Sequence, residues 1–320
     1  MGKKTTIFTI IGIIAIAALA TFLRQDIKQI IEDLKTQPKP RETIVIGTVS
    51  QDVVGAAEEY RPIADYLAEQ LAEHSIKAGR VKIASRTTEM AQWMRQGKVD
   101  LFIGSPFPAF AVDQLARSEP LVSRWKKGAE KYHAVIFAKK ESGITSPDEL
   151  KGKTIAFINK DSTSGYLLPK AELLNRGFTL TEVEGPSSQV NPDEIGYYFA
   201  LSDNALVKAV MDNTTSAAAH NESELRILME KDGEKIGDYI FLLTTADVYR
   251  HIVTVNRHLD PAIKEKIRSA LLNLHTTPEG QEILQSAKDT TRFSDFDPPQ
   301  SAYKGIEELV ELVEQEIINR

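Results

Sequence analysis

The chain contains no cysteine. That excludes a disulfide framework, a thiolate metal site, a cysteine nucleophile and the lipid-bearing cysteine of a bacterial lipoprotein. Histidine is scarce: His74, His133, His220, His251, His258 and His275 are the full set. None falls in an H-x-x-x-H or H-E-x-x-H pattern, so the usual zinc spacings are missing, and most are expected at the surface or its boundary. The net charge of −6 gives no basic excess for nucleic acid. No G-x-S-x-G elbow is present and no base accompanies Ser162 or Ser164, which argues against a serine enzyme. Gly152-Lys153-Thr154 has the ending of a phosphate-binding loop, but the required earlier glycine position holds Pro147 and a strand is expected where a helix should follow. Internal repeats and low-complexity segments are absent too. No enzyme, metal or cofactor is implied.

The sequence does carry a globular composition, 42% hydrophobic and 26% charged over 320 residues, a length that suits two lobes of ordinary size. One long apolar run, Thr5 to Leu23, follows Lys3 and Lys4. It reads as an export signal, with Ala18-Leu19-Ala20 as the cleavage site. It also reads as an uncleaved anchor in the inner membrane, being about as long as a span. Its continuation through Phe22 and Leu23 into the amphipathic Ile27–Leu34 favours the anchor. Either reading places the rest outside the cytoplasm. Residues 1–23 are therefore assigned to signal or anchor, and 24–41, with Pro38 and Pro40, to a linker.

Beyond the linker, strands alternate with helices. Thr43–Gly47, Val81–Ile83 and Val99–Gly104 read as strands, Tyr60–His74 and Thr88–Arg95 as helices, the latter stopped by Gly97. This order predicts an α/β domain with a mainly parallel sheet. Ligands bind beyond the carboxyl ends of such strands. The segments there are Val49-Ser50-Gln51, Ser85-Arg86-Thr87-Thr88 and Gly104-Ser105-Pro106-Phe107. Tyr132–Lys139 reads as the strand crossing to a second lobe, and Thr145–Leu150 as a capped helical turn. Further on, Thr181–Glu184, Ser216–Ala219 and Leu225–Met229 read as strands and Asp203–Met211 as a helix. Tyr239–Thr244 and Ile252–Val255 read as strands returning to the first lobe. Helices are expected over Pro261–Leu274, Pro278–Ala287 and Tyr303–Ile318. The lobes are accordingly 42–131, 132–240 and, returning to the first, 241–320.

The stretch that organises the second lobe is Asp161-Ser162-Thr163-Ser164-Gly165-Tyr166. It lies between an apolar strand, Thr154–Ile158, and a helix, Tyr166–Leu174. A strand-to-helix junction offers free N–H groups and the positive end of a helix dipole. Hydroxyls there can reach the same ligand oxygen, which makes a small oxyanion site that needs neither metal nor arginine. A single Ser or Thr would be an ordinary cap. Three followed by glycine exceed what a cap needs and favour a binding loop.

These residues resemble the periplasmic phosphonate/phosphite/phosphate-binding proteins of ABC transporters. The resemblance rests on Tyr60–Leu67, on Gly97-Lys98-Val99-Asp100 with Gly104-Ser105-Pro106, on Tyr132–Ile136, on Ser142–Lys153 followed by Asp161–Tyr166, and on Pro278-Glu279-Gly280 with Asp297 and Tyr303. It implies a two-lobed type II periplasmic-binding-protein fold of class α/β, with a ligand cleft between the lobes. It carries the oxyanion role to Ser162, Thr163 and Ser164, with Gly165 for close backbone approach. Ser105, Tyr132 and Ser50 join them as further ligand contacts. The sequence departs from the family at three places. Thr87 or Thr88 stands near a family tyrosine, Leu201-Ser202-Asp203 stands for a Ser-His-Asp without its histidine, and Thr215-Ser216-Ala217 replaces Val-Asp-Ala. Thr88, Ser202 and Asp203 remain site candidates, and an aminophosphonate is the ligand these departures disfavour.

The implied function is capture of a small phosphorus oxyanion outside the cytoplasm for an ABC permease, by lobe closure. The competing reading is a membrane-tethered sensory or partner-binding module with the same fold and a drifted pocket.

Overall fold

The computed structural model describes residues 42–318, so the apolar run and the linker lie outside the described residues. Among the described residues no helix is long and apolar enough to cross a membrane. The elements run β1 (Thr43–Val49), α1 (Val53–Gln70), β2 (Ala78–Ala84), α2 (Thr87–Arg95), β3 (Leu101–Gly104), α3 (Pro106–Ala116), β4 (Ser118–Lys126), β5 (Lys131–Tyr132), β6 (Ala134–Lys139) and β7 (Thr154–Phe157). They continue with α4 (Leu168–Asn175), β8 (Thr179–Glu182), β9 (Glu194–Phe199), α5 (Asp203–Met211), β10 (Ala217–Asn221), α6 (Glu222–Lys231), β11 (Tyr239–Thr244) and β12 (Val248–Tyr249). The last are β13 (His251–Asn256), α7 (Pro261–Asn273), α8 (Pro278–Ser286), β14 (Thr290–Ser294) and α9 (Ile306–Ile318).

Two six-stranded mixed sheets organise them. The first has the order β14-β4-β13-β3-β1-β2 and the second β11-β6-β10-β7-β9-β8. In each, the strands joined through helices are parallel and the strands arriving from the other lobe are antiparallel. A separate antiparallel pair, β5 with β12, carries the chain out and back. Beside it His133 faces Glu222 at 2.7 Å and Asp247 at 2.9 Å, so an imidazole pins both crossings to the second lobe.

Apolar periodicity explains most elements. Ile44 and Ile46 of β1 meet Ile63, Ala64 and Leu67 of α1 in one core, while Ile155 and Phe157 of β7 pack with Leu167, Leu168 and Leu173 in another. Helix α1 begins seven residues before the expected Tyr60. Asp52 accepts from the Gly55 N–H at 2.9 Å and starts the helix there, and Pro62 is carried inside it.

Four expectations need correction. Leu225–Met229 is not a strand but part of α6: Asn221 caps its start, and Leu225 and Met229, four apart, both face the core as helical spacing requires. Tyr239–Thr244 does not return to the first lobe; β11 pairs with β6 at the edge of the second sheet, so a boundary at 240/241 would cut a strand. Segment 241–320 is not all first lobe either, because Ile306, Val310 and Val313 of α9 are buried in the second lobe's core. That helix begins at Ile306 rather than Tyr303, whose hydroxyl instead donates to the Ala109 carbonyl at 3.2 Å.

Strand β2 lies so close to α1 that a Cβ at Gly79 would stand 2.1 Å from the Ala64 carbonyl oxygen. That neighbour is backbone and cannot swing aside. Gly79→Ala is expected to cost about 1–3 kcal/mol, seen as a drop of several degrees in Tm with the folded spectrum retained. An unchanged Tm would show that α1 and β2 are not locked at this separation.

Candidate functional site

The carboxyl ends of β1, β3 and β7 open onto one cleft, as strand ends in α/β sheets do. Its volume is about 710 Å³, and its walls come from both sheets. Ser50 and Ser105 line it from the first lobe, Ser162, Thr163, Ser164 and Asp203 from the second, and Tyr132 from the crossing.

The hydroxyl loop is built by local hydrogen bonds. Asn159 turns the chain after β7 by accepting from the Asp161 N–H at 2.9 Å. Ser162 then accepts from the Gly165 N–H at 3.0 Å, the ordinary work of a cap. The next turn is wide: the Leu167 N–H reaches the Ser162 carbonyl at 3.0 Å, an i to i+5 bond, before α4 settles into α-helical spacing. Gly165 is buried behind this turn, where a Cβ would stand 2.4 Å from the Ile158 side chain. Its role is packing against Ile158, the residue just past β7, and it does not line the cleft.

The three hydroxyls therefore differ. That of Ser162 caps. That of Thr163 donates to Ser105 Oγ at 2.9 Å and accepts from the Phe107 N–H at 3.0 Å, joining the loop to the start of α3 in the first lobe. Ser164 opens on the cleft, where the Tyr132 hydroxyl lies beside the hydroxyls of Thr163 and Ser164. Burial holds the Tyr132 pKa well above the ordinary tyrosine value against the lowering influence of those two hydroxyls, so the phenol stays protonated and able to donate.

Two other candidates stand away from the cleft. Thr88 is exposed in the first turn of α2, and Ser202 caps α5 by accepting from the Ala205 N–H at 3.2 Å. Ser50 faces the cleft but is turned on its own loop, where its hydroxyl meets the Asp52 carbonyl at 3.1 Å.

The sequence reading missed the charged wall. Arg250 is buried beside Tyr132; it donates to Glu224 at 2.8 Å and to Ser223 at 3.1 Å. Lys126 stands 3.8 Å from the same glutamate. Arg124, fully buried, bonds Glu59, the Tyr60 hydroxyl at 3.2 Å, Thr290 at 2.6 Å and His251 Nδ1 at 2.6 Å. The cleft thus does contain arginine, contrary to a site built on hydroxyls and N–H groups alone. No short motif marks these residues. Arg124 and His251 are partners across β4 and β13, a pairing that only the sheet register reveals.

Leu201-Ser202-Asp203 has no histidine of its own, but one from β10 meets Asp203. His220 of β10 sets Nε2 3.0 Å from Asp203 and Nδ1 3.0 Å from the Asn221 carbonyl. Burial would push this ring's pKa down. The Asp203 hydrogen bond and charge, with the Asn221 carbonyl and Glu224, outweigh burial and raise it above the usual histidine value. The same contact leads the effects that lower Asp203, against burial.

A deep cleft between two mixed α/β sheets linked by crossing strands is the architecture of an extracytoplasmic solute-binding protein. Residues 46–303 match the family described as ABC transporter, phosphonate, periplasmic substrate-binding protein, and the chain belongs to that family. Among solved structures it is similar to XAC2383 from Xanthomonas citri bound to ATP, at 26% identity and a TM-score of 0.78, covering 86% of this chain and 98% of that one. The same Xanthomonas protein bound to chloride ion gives 25% identity and a TM-score of 0.80 over 88% and 100% of the two chains. PhnD1 from Prochlorococcus marinus (MIT 9301), in complex with methylphosphonate, shares the fold at 16% identity and a TM-score of 0.66, over 86% and 99%.

The Asp203–His220 pair makes stability depend on pH. The raised His220 contributes fully below its unfolded pKa and loses that contribution as pH rises through its folded value. The lowered Asp203 contributes above its own unfolded pKa and loses it on acidification. Asp203→Asn is therefore expected to destabilise most between about pH 4.5 and 6.5, with a smaller gap from the parent at pH 9. Thermal melts across that range check it; an equal gap at pH 5.5 and pH 9 would rule out the charged pair.

Proposed function

We propose that this chain is a two-lobed solute-binding protein of the type II architecture that captures a phosphorus oxyanion, as phosphonate, phosphite or phosphate, and delivers it to an ABC permease. The observation that carries this reading is the meeting of Ser164, the Tyr132 hydroxyl and the Arg250 side chain in one cleft between the lobes. Neutral hydroxyls and a guanidinium suit an anion whose oxygens accept several hydrogen bonds at once. No bond is broken. A ligand that touches both walls favours the closed state by its differential affinity, which shifts the open–closed balance. Ser162, Thr163 and Ser164 keep the roles of loop cap, lobe link and ligand donor.

The cleft has room for more than a bare oxyanion. Its volume of about 710 Å³ falls within the roughly 300–1,000 Å³ of pockets for larger small molecules. The Xanthomonas relative whose structure holds ATP supports a phosphorus–oxygen group with an organic extension as one form of the ligand.

The test is a thermal-shift panel with phosphate, phosphite, methylphosphonate, aminoethylphosphonate, ATP and sulfate. At ~100 times its Kd a ligand adds roughly 2.7 kcal/mol, or several degrees for a chain of this size. One or more phosphorus anions are expected to give that shift and sulfate is not, and Ser164→Ala should remove it without lowering the ligand-free Tm. Ser162→Ala should lower the ligand-free Tm by loss of the cap, about 1 kcal/mol. A shift that survives Ser164→Ala would place the ligand elsewhere. No shift from any anion would instead support the tethered partner-binding module.

A further inference from the structure

We propose that His251 is a ligand-contacting residue, held by Arg124 as the tautomer that presents its Nε2–H to a ligand oxygen in the cleft. This assignment rests on the oxyanion-binding reading above and extends it to a residue of the first lobe.

The argument begins with Arg124. A guanidinium has five N–H donors and no acceptor, and it stays protonated. Its Nη1 lies 2.6 Å from His251 Nδ1. Two donors cannot face each other at that distance, so Nδ1 must be the bare, accepting nitrogen. The ring proton then sits on Nε2. The arrangement is fixed from both sides. Arg124 and His251 are register partners on adjacent antiparallel strands, so their side chains lie on one face of the sheet. The guanidinium is held in turn by Thr290, Glu59 and the Tyr60 hydroxyl, and cannot rotate away without leaving those bonds.

A doubly protonated ring is excluded by the same geometry, and the surroundings agree. Burial first, then the charges of Arg124, Lys126 and Arg250, hold the His251 pKa well below the ordinary value. Glu59, on α1, is committed to Arg124, and Glu224, on α6, to Arg250 and Lys126, so neither carboxylate supports a proton on this ring. The tautomer leaves Nε2–H without a hydrogen-bond partner among the described residues, while His251 lines the cleft. A donor of that kind can donate only to a ligand or water oxygen. Being neutral, it serves an oxyanion equally across the pH range in which the other cleft histidine, His220, changes charge.

The test uses the full chain labelled with ¹⁵N-histidine, the His251 signals being assigned by their loss in His251→Gln. The expected spectrum shows a neutral ring with Nε2 protonated from pH 5 to pH 8, and an Nε2–H signal that moves on adding phosphate, methylphosphonate or ATP. In parallel, the affinity for whichever of these three binds is measured by calorimetry. His251→Ala is expected to weaken it tenfold or more. His251→Gln, which restores a side-chain N–H near the same place, should recover most of the loss. A ring protonated on Nδ1, or one that titrates near pH 6.5, overturns the proposal. So does an Nε2–H signal that none of the three ligands moves. If those ligands nevertheless raise the Tm, the proposed function stands and only the role of His251 falls; if none raises it, both fall.

Discussion

Arg124 sets the constraint that the first lobe's cleft wall obeys. A guanidinium buried to zero exposure costs several kcal/mol unless its donors are met. Its partners are spread over several elements: Glu59 and Tyr60 from α1, His251 from β13, Thr290 from β14, and the Lys288 carbonyl from the turn before β14. Satisfying one charge therefore fixes four pieces of chain against one another. Tyr60 shows the effect on its neighbours. Burial pushes its pKa up to about 12 against the opposing charge of Arg124, so it meets the guanidinium as a neutral phenol that accepts. Glu59 alone brings a compensating charge. The cleft wall in front of Arg124 is thereby tied to α1, β13 and β14.

The opposite wall is held by hydroxyls, and they divide their tasks. The three of Ser162-Thr163-Ser164 have similar chemistry in sequence, yet a cap, a lobe-to-lobe link and a cleft donor emerge once the chain is folded. The wide turn after Ser162 makes the division geometrically workable. An α-helical turn from the same cap would spend the Leu167 N–H elsewhere and rotate Thr163 relative to Ser164. Thr163 bonds Ser105 and the first N–H of α3, so the second lobe's loop touches the N-terminus of a first-lobe helix directly. Under the proposed function, closure of the lobes would pivot near this contact or break it.

The parts of this arrangement that could be read from sequence were those with local causes. Alternating or helical apolar spacing located β1, α2, β7 and α5 within a residue or two, and the Ser162 cap, the Pro106 helix start and the β7-to-α4 junction have signatures within six residues. The unread parts have distant causes. Strand β4 carries Pro120, Arg124 and Lys126, which in sequence deny a buried strand, and only the partners gathered from α1, β13 and β14 make its arginine tolerable inside. Lys170 is a parallel case: a fully buried lysine on α4 whose ammonium lies 3.2 Å from the Tyr166 hydroxyl and 3.1 Å from that of Tyr197. The family motif predicted a histidine next to Asp203 in the chain. A histidine does meet Asp203, but it is His220, seventeen residues on, brought there because β10 runs past the start of α5. A contact between residues this far apart in the chain leaves no trace in a short motif.

The electrostatics of the cleft then bear on how an anion would be held. Arg250 and Lys126 share Glu224, Arg124 has Glu59, and His220 has Asp203, so each of these cations already faces a carboxylate. An arriving oxyanion meets a nearly balanced field rather than an excess of positive charge. Balanced pairs give little long-range attraction, but they keep the cations oriented, so that no reorganisation is needed when an oxygen arrives. Under the proposed function, selectivity must then come from neutral donors at fixed positions, Ser164 and Tyr132 foremost. Such donors count acceptor oxygens instead of charge. Asp203 and Glu224, already paired with His220 and with Arg250 and Lys126, keep those cations in place and are not spare acceptors for a P–OH proton.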